Sequence, residues 1–177
     1  MASENSSIDL ILVPQGAEQR AVLKGAGAVN DWGKSVPHPI VLPIPMGPQT
    51  VYHHLEVLQS NGQLPVSEGC NVLLMGLGGS LSSSYHIGDV ILTSQMSLIS
   101  DHGVVSSTSA HLPLVRTLYS ALTRELGEQC TCCVGVEKGV TCDRIIFDPT
   151  EKHTLNQVYG ANVVDMEGSL SSVFFNL

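Results

Sequence analysis

Short apolar runs alternate with segments of helical period along the chain. Ile8 to Val13 (IDLILV) is an apolar run closed by Pro14-Gln15-Gly16, which predicts a buried strand. Ala17 to Leu23 predicts a helix that Gly25 and Gly27 cut short. The stretch from Gly25 to Pro48 is rich in glycine and proline. It admits short edge strands around Ile40-Val41-Leu42 but no central strand, because proline cannot donate to a ladder. In Gln49 to Asn61, Val51, Leu55 and Leu58 recur at the helical period, and Gly62 and Pro65 end the segment. Val72 to Met75 predicts a further buried strand running into a glycine-rich turn, and Val90 to Thr93 another.

The strongest helical pattern is Pro113 to Leu126. Proline opens it, Gly127 follows it, and Leu114, Leu118, Leu122 and Leu126 form a stripe. Cys132 to Val136 and Gly139 to Cys142 flank a strand-like region, and Pro149 to Tyr159 predicts another helix. Asn162-Val163-Val164 predicts a short strand, after which Met166-Glu167-Gly168 opens a final helix, Ser169 to Phe175. Strands alternating with helices define an α/β fold with a mixed, largely parallel sheet, expected as a single domain over residues 1–177.

Composition narrows the choice of partner. With 43% hydrophobic and 14% charged residues, the chain devotes more of itself to interior or interface than an average domain does. Its net charge of −8 argues against a nucleic-acid partner, which needs a basic surface. No long apolar run predicts a membrane span, and the polar start Met1-Ala-Ser-Glu-Asn-Ser-Ser is unlike a signal peptide, so a cytoplasmic protein is expected. Cys70, Cys130, Cys132, Cys133 and Cys142 are an odd set without zinc-site spacing. They read as free thiols, with those of the Val-rich stretch acting as small buried hydrophobes, and no metal is expected.

Two segments carry candidate chemistry. The turn Gly76-Leu77-Gly78-Gly79 follows a strand and lacks the closing Lys-Ser/Thr of a P-loop and the spacing of a dinucleotide fingerprint. It reads either as a ligand-facing loop with exposed N–H groups or as a tight turn with no ligand. In Val164-Asp165-Met166-Glu167-Gly168, carboxylates sit where a strand meets a helix, the usual ligand face of an α/β sheet. There Glu167 suits a ribose diol; equally, Asp165 or Glu167 serves a helix N-terminus through its dipole. His86 reads as a solvent-facing loop residue, and His102 with Asp101 as a polar contact at a site mouth. His53 and His54 cannot share a helix face, and Ser82-Ser83-Ser84 lacks a nucleophile elbow.

Taken in order, LILVP-x-GAEQRAVL, LLMGLGGSLSSSYHIGDVIL, TCDRIIFDPTEKHTL and GANVVDMEG resemble the nucleoside phosphorylase and methylthioadenosine/S-adenosylhomocysteine nucleosidase superfamily. The part from DRIIFDPTEK to VDMEG is most similar to a nucleosidase-like branch linked to hopanoid processing. The resemblance implies a three-layer α/β fold and a small-molecule nucleoside as partner. It implies no cofactor, and a homo-oligomer, dimer or higher. Glu18 matches the acid that orients an attacking water. Met166 and Glu167 match the pair on the ribose, with Asp165 beside them, and Gly76 to Gly79 match the loop at the anomeric carbon. Asp143 and Ile145 match the segment bordering the base, where the family usually places an aromatic ring.

Leu74 and Leu77 stand where the family's phosphorylases bind phosphate with arginine and serine, which implies hydrolysis rather than phosphorolysis. The sequence ends before the strand and helix that follow in the family, and so before the aspartate that assists departure of the base. An active purine nucleosidase, a nucleoside-binding protein without catalysis and a structural relative therefore all stay open at this point.

Overall fold

Residues 7–28, 38–66, 69–127 and 131–169 are described by a computed structural model, in which the chain divides into two units, Met1–Leu77 and Gly78–Leu177. The first unit is built on β1 (Leu10–Pro14), buried at all five positions. It lies between β2 (Ile40–Ile44) and β3 (Val72–Leu74), parallel to both. Burial on both sides explains the uninterrupted LILV run, since such a strand has no solvent face to alternate with. Proline is tolerated in β2 because that strand is an edge: Pro43 sits opposite Val13, with no strand beyond it in the sheet among the described residues. The start of the sheet is clasped by Asn71, whose N–H donates to Asp9 Oδ2 at 2.8 Å and whose side chain donates to the Ser7 carbonyl at 2.8 Å.

Two helices complete this unit, α1 (Ala17–Ala28) and α2 (Pro48–Ser60). Helix α2 starts on a proline and buries Val51 and Leu55, as its period predicts. Helix α1 corrects the expectation that Gly25 and Gly27 end it, for it runs through both. Glycine in a helix costs about 1 kcal/mol against alanine but keeps its N–H, so it weakens a helix without breaking it. Strand β3 is half-buried rather than buried, as an edge strand should be.

The second unit carries a five-stranded mixed sheet in the order β4-β8-β7-β5-β6. Its elements are β4 (Gly79–Ser80), β5 (Val90–Ser100), β6 (Gly103–Ser109), α3 (Leu112–Gly127), β7 (Val134–Thr141), α4 (Pro149–Tyr159) and β8 (Val163–Asp165). Strands β5, β7 and β8 are mutually parallel, with β6 and β4 antiparallel at the two edges. The strand expected over Val90–Thr93 is thus much longer and turns back into β6, which was not expected. Pairing on both sides of β5 outweighs the weak strand preference of its serines and glutamine.

Asp101 and His102 lie at the turn of that hairpin, exposed. The strand-like stretch at the cysteines is a single strand, β7. Cys132 and the exposed Cys133 precede it, so among the described residues only Cys142 is the buried thiol expected.

Helix α4 is capped as its sequence predicts. Asp148 accepts the Thr150 N–H at 2.8 Å, Pro149 opens the helix, and Gly160 closes it at φ 62. Leu81, Val140, Cys142, Ile146, Leu155, Ala161 and Val164 form the core of this unit. The final helix expected from Ser169, and Cys130, lie essentially outside the described residues. Among the described residues no helix is long and apolar enough to cross a membrane.

Candidate active site

In the first unit, Glu18 sits in the first turn of α1, directly after the β1 turn. Its Oε1 accepts the backbone N–H of Leu77 at 2.7 Å. A Cβ built on Gly76 would stand 3.2 Å from that same oxygen and 3.5 Å from the Pro14 ring, so glycine lets the chain after β3 pass close to Glu18. The Leu77 side chain is 80% exposed. Leu74 is half-buried in β3. Neither leucine side chain offers a donor to an anion, and the Leu77 N–H is already used.

In the second unit, Gly78 and Gly79 have a packing role. A Cβ on Gly78 would lie 2.8 Å from Val163 Cγ2, and one on Gly79 3.2 Å from Val164 Cγ1. Glycine thus lets β4 lie against β8, with Gly79 opposite Val164. Neither residue has a positive φ, so close approach, and not a left-handed turn, is what these positions require.

The carboxyl ends of β7 and β8 bring three predicted residues together. Asp165 ends β8, and Met166 and Glu167 form the turn that follows. Glu167 is 8% exposed, an unusual burial for a glutamate. Asp165 Oδ1 accepts the Thr141 hydroxyl at 2.6 Å, while Thr141 Oγ1 accepts the Ser169 N–H at 2.9 Å. Burial pushes the Asp165 carboxyl up to about 6, and the Glu167 carboxylate adds to the rise. The Thr141 hydroxyl and the N–H groups of Gly168 and Glu167 work the other way, by favouring the ionised form.

Thr141, fully buried at the end of β7, was not singled out in the sequence. A threonine at the end of a strand is ordinary, and its partner lies 24 residues on. The loop after β7 holds Asp143 and Ile145, both exposed, with Ile145 at 60% and Phe147 at 78%. Phe147, two residues beyond Ile145, is an exposed aromatic side chain that the sequence reading passed over. Burial pushes the neighbouring Cys142 thiol up to about 11, which leaves it unreactive near neutral pH.

A second polar cluster lies elsewhere in this unit. The Tyr85 hydroxyl donates to Glu137 Oε1, and Glu137 Oε2 accepts the Asn162 side chain at 2.6 Å. Asn162 in turn accepts from Asn156 at 2.9 Å. The Glu137 carboxylate beside it is the main cause that pushes the Tyr85 phenol up to about 12. Asp89 accepts the N–H groups of His86 and Cys133, each at 2.7 Å, and they hold its carboxyl below the usual range. It therefore fastens the loop before β5 to the chain before β7. The His86 side chain is exposed, as expected for a loop histidine.

The phosphorylase superfamily has a sequence model that matches residues 63–171, more than half of the chain, and the protein belongs to that family. The match takes in the Gly76–Gly79 turn, Gly88-Asp89, and the turn after β8. No curated protein matches in sequence. Among solved structures, the chain is similar to the 5′-methylthioadenosine/S-adenosylhomocysteine nucleosidase of Campylobacter jejuni: TM-score 0.66, 12% identity, covering 94% of this chain and 79% of that one. For the corresponding Helicobacter pylori nucleosidase the TM-score is 0.67 at 16% identity, covering 94% and 81%. For a mutant of the H. pylori futalosine hydrolase it is 0.62 at 16% identity, covering 96% and 82%. These likenesses establish a nucleosidase-type α/β fold.

Proposed function

We propose that the protein is a nucleosidase that hydrolyses the N-glycosidic bond of a purine nucleoside. The observation that carries this is the buried Glu167 on the turn after β8, at the carboxyl ends of two parallel strands. A carboxylate there is suited to accept two hydrogen bonds from a ribose 2′,3′-diol. Family membership supports the same reaction class, and so do the activities named for the similar structures.

In this reading water attacks C1′, the bond from C1′ to the base nitrogen breaks, and the products are free ribose and free base. Glu18 orients the water: Oε1 holds the Leu77 N–H, which leaves Oε2 to accept from the water. Met166 and Glu167 hold the ribose, Gly76 to Gly79 pass beside the anomeric carbon, and Asp143 and Ile145 border the base. Water is favoured over phosphate as the nucleophile because Leu74 and Leu77 cannot bind an anion through their side chains. No cofactor enters the reaction.

A cytoplasmic homo-oligomer is part of the reading, supported by exposed apolar side chains such as Leu77, Ile87, Phe147 and Val158. A monodisperse monomer in light scattering would count against that part.

The test is release of free base from a panel of purine nucleosides, including 5′-methylthioadenosine, followed by chromatography with and without phosphate. Release without phosphate is the expected result. Release only with phosphate replaces hydrolysis by phosphorolysis. No release, with ligand-dependent thermal stabilisation, makes the chain a nucleoside-binding protein; neither effect leaves a structural relative of the fold.

A further inference from the structure

The cluster around Thr141 contains more bonds than ribose binding requires, and they converge on one short segment. Thr141 and Asp165 are register partners at the ends of β7 and β8. The Cys142 N–H donates to the Asp165 carbonyl at 2.9 Å, fixing the strand ends against each other. The Thr141 hydroxyl then bridges two points of the following turn: it donates to Asp165 Oδ1 and accepts the Ser169 N–H. The Asp165 carboxyl also faces the N–H groups of Gly168 and Glu167. A Cβ on Gly168 would stand 2.5 Å from Asp165 Oδ2, so only glycine lets the chain fold this tightly over the carboxyl. Thr141 is fully buried. The hydrogen bonds of the two side chains are thus directed at the backbone N–H groups of Glu167 and the two residues after it, and at each other.

We infer that Asp165 and Thr141 are positioning residues that touch no substrate and set the Met166–Glu167 turn, so that Glu167 selects nucleosides carrying both ribose hydroxyls. This rests on the proposed nucleosidase reading and refines it, since Asp165 then acts through Glu167 and not on the ligand. The ligand class follows: ribonucleosides are preferred over their 2′-deoxy and 2′,3′-dideoxy counterparts, and the preference depends on the clamp.

The experiment is calorimetric titration of the full chain with adenosine and with 2′,3′-dideoxyadenosine, for the wild type, Thr141→Val and Thr141→Ser. The wild type should favour adenosine. Thr141→Val, which keeps the shape and removes the hydroxyl, should reduce that preference about tenfold, the consequence of stranding a buried acceptor. Its affinity for the dideoxy nucleoside should not change, and Thr141→Ser should restore the preference. If Thr141→Val does not melt cooperatively, Asp165→Asn carries the same expectation, because its amide has one acceptor oxygen for the Thr141 hydroxyl and the N–H groups of Gly168 and Glu167, where the carboxylate has two. An unchanged preference in the variant overturns the inference alone, and so does equal weakening of both ligands. A wild type that binds neither nucleoside overturns the inference together with the nucleosidase reading.

Discussion

The Glu18 carboxylate and the Leu77 backbone N–H, 59 residues apart in sequence, meet at 2.7 Å. This joins the start of α1 to the chain after β3, two segments that the sequence marked separately for the same chemistry. Such a bond orients a carboxylate without neutralising it, which is what a residue that directs a water needs.

Glu18→Ala should therefore separate function from stability. Its hydrogen bond is exposed, so loss should cost at most about 1 kcal/mol. Base release, if Glu18 directs the water, should fall about 10²- to 10⁴-fold. Glu18→Gln keeps an acceptor for the Leu77 N–H and should match the wild type in thermal melting while remaining slow. A Glu18→Ala variant with wild-type turnover would remove Glu18 from the mechanism.

Asp165 makes a prediction about pH. Its folded-state value of about 6 lies above the ordinary one near 3.8, so the folded chain holds the proton more tightly than the unfolded chain. The stability this contributes is fully present below about pH 4 and is lost as pH rises through about 6. A shift of this size corresponds to roughly 3 kcal/mol. Glu167 on the turn and the Cys142 thiol just after β7 are the titratable groups beside it. Urea unfolding of the wild type and of Asp165→Asn between pH 4 and pH 8 tests this. The wild type should lose stability relative to the variant as pH rises, and parallel profiles would contradict the assignment.

Much of the fold was legible because local rules agreed with tertiary structure. The apolar run of β1, the prolines that confined β2 to an edge, the helical period of α3 and the capped helix α4 all follow from short-range chemistry. What was not legible depends on distant partners. Strand β6 and the second half of β5 are rich in serine, and they hold together by pairing, as in the 2.5 Å contact between the Ser97 and Ser107 hydroxyls. Asp101 and Gly103, the latter at φ 107, were the local signs of their turn. In the candidate site, Asp165, Met166 and Glu167 are adjacent in sequence and could be read together, whereas Thr141 joins them only through the parallel pairing of β7 with β8. The glycines after β3 were read either as a ligand-facing loop or as a tight turn; the close approach of Gly76 to Glu18, and separately of Gly78 and Gly79 to β8, could not be read from them, since both partners are distant in sequence.

Tyr85 supplies a spectroscopic prediction. Its hydroxyl donates to Glu137, and its ring packs so closely on β7 that a Cβ on Gly135 would overlap the phenol oxygen. With its value raised to about 12, the stability it contributes is present below about pH 10 and is lost as pH rises through 12. Phenolate absorbance should show one late-titrating tyrosine, absent in Tyr85→Phe. Near neutral pH that variant should lose about 1–2 kcal/mol, since Glu137 Oε1 then loses the Tyr85 donor while Oε2 keeps Asn162. An unaltered phenolate curve would show that the hydrogen bond is not formed in solution.

Gly78 offers the sharpest test of the packing argument, because a single methyl group is at issue. Alanine there would place Cβ 2.8 Å from Val163 Cγ2 and 3.3 Å from the Val164 carbonyl oxygen. Val164 is a buried core residue, and β4 is only two residues long, so the short edge strand is the element that must give way. Overpacking of this kind costs about 1–3 kcal/mol. Gly88→Ala is the control, because the space around that Cβ is open and the strain there comes from φ 100 alone. Gly78→Ala should be rescued in part by Val163→Ala, which removes the clashing methyl group, whereas Gly88→Ala should not. A double-mutant cycle on thermal stability reads this directly. Strict additivity between positions 78 and 163 would mean that β4 does not lie against β8 as described.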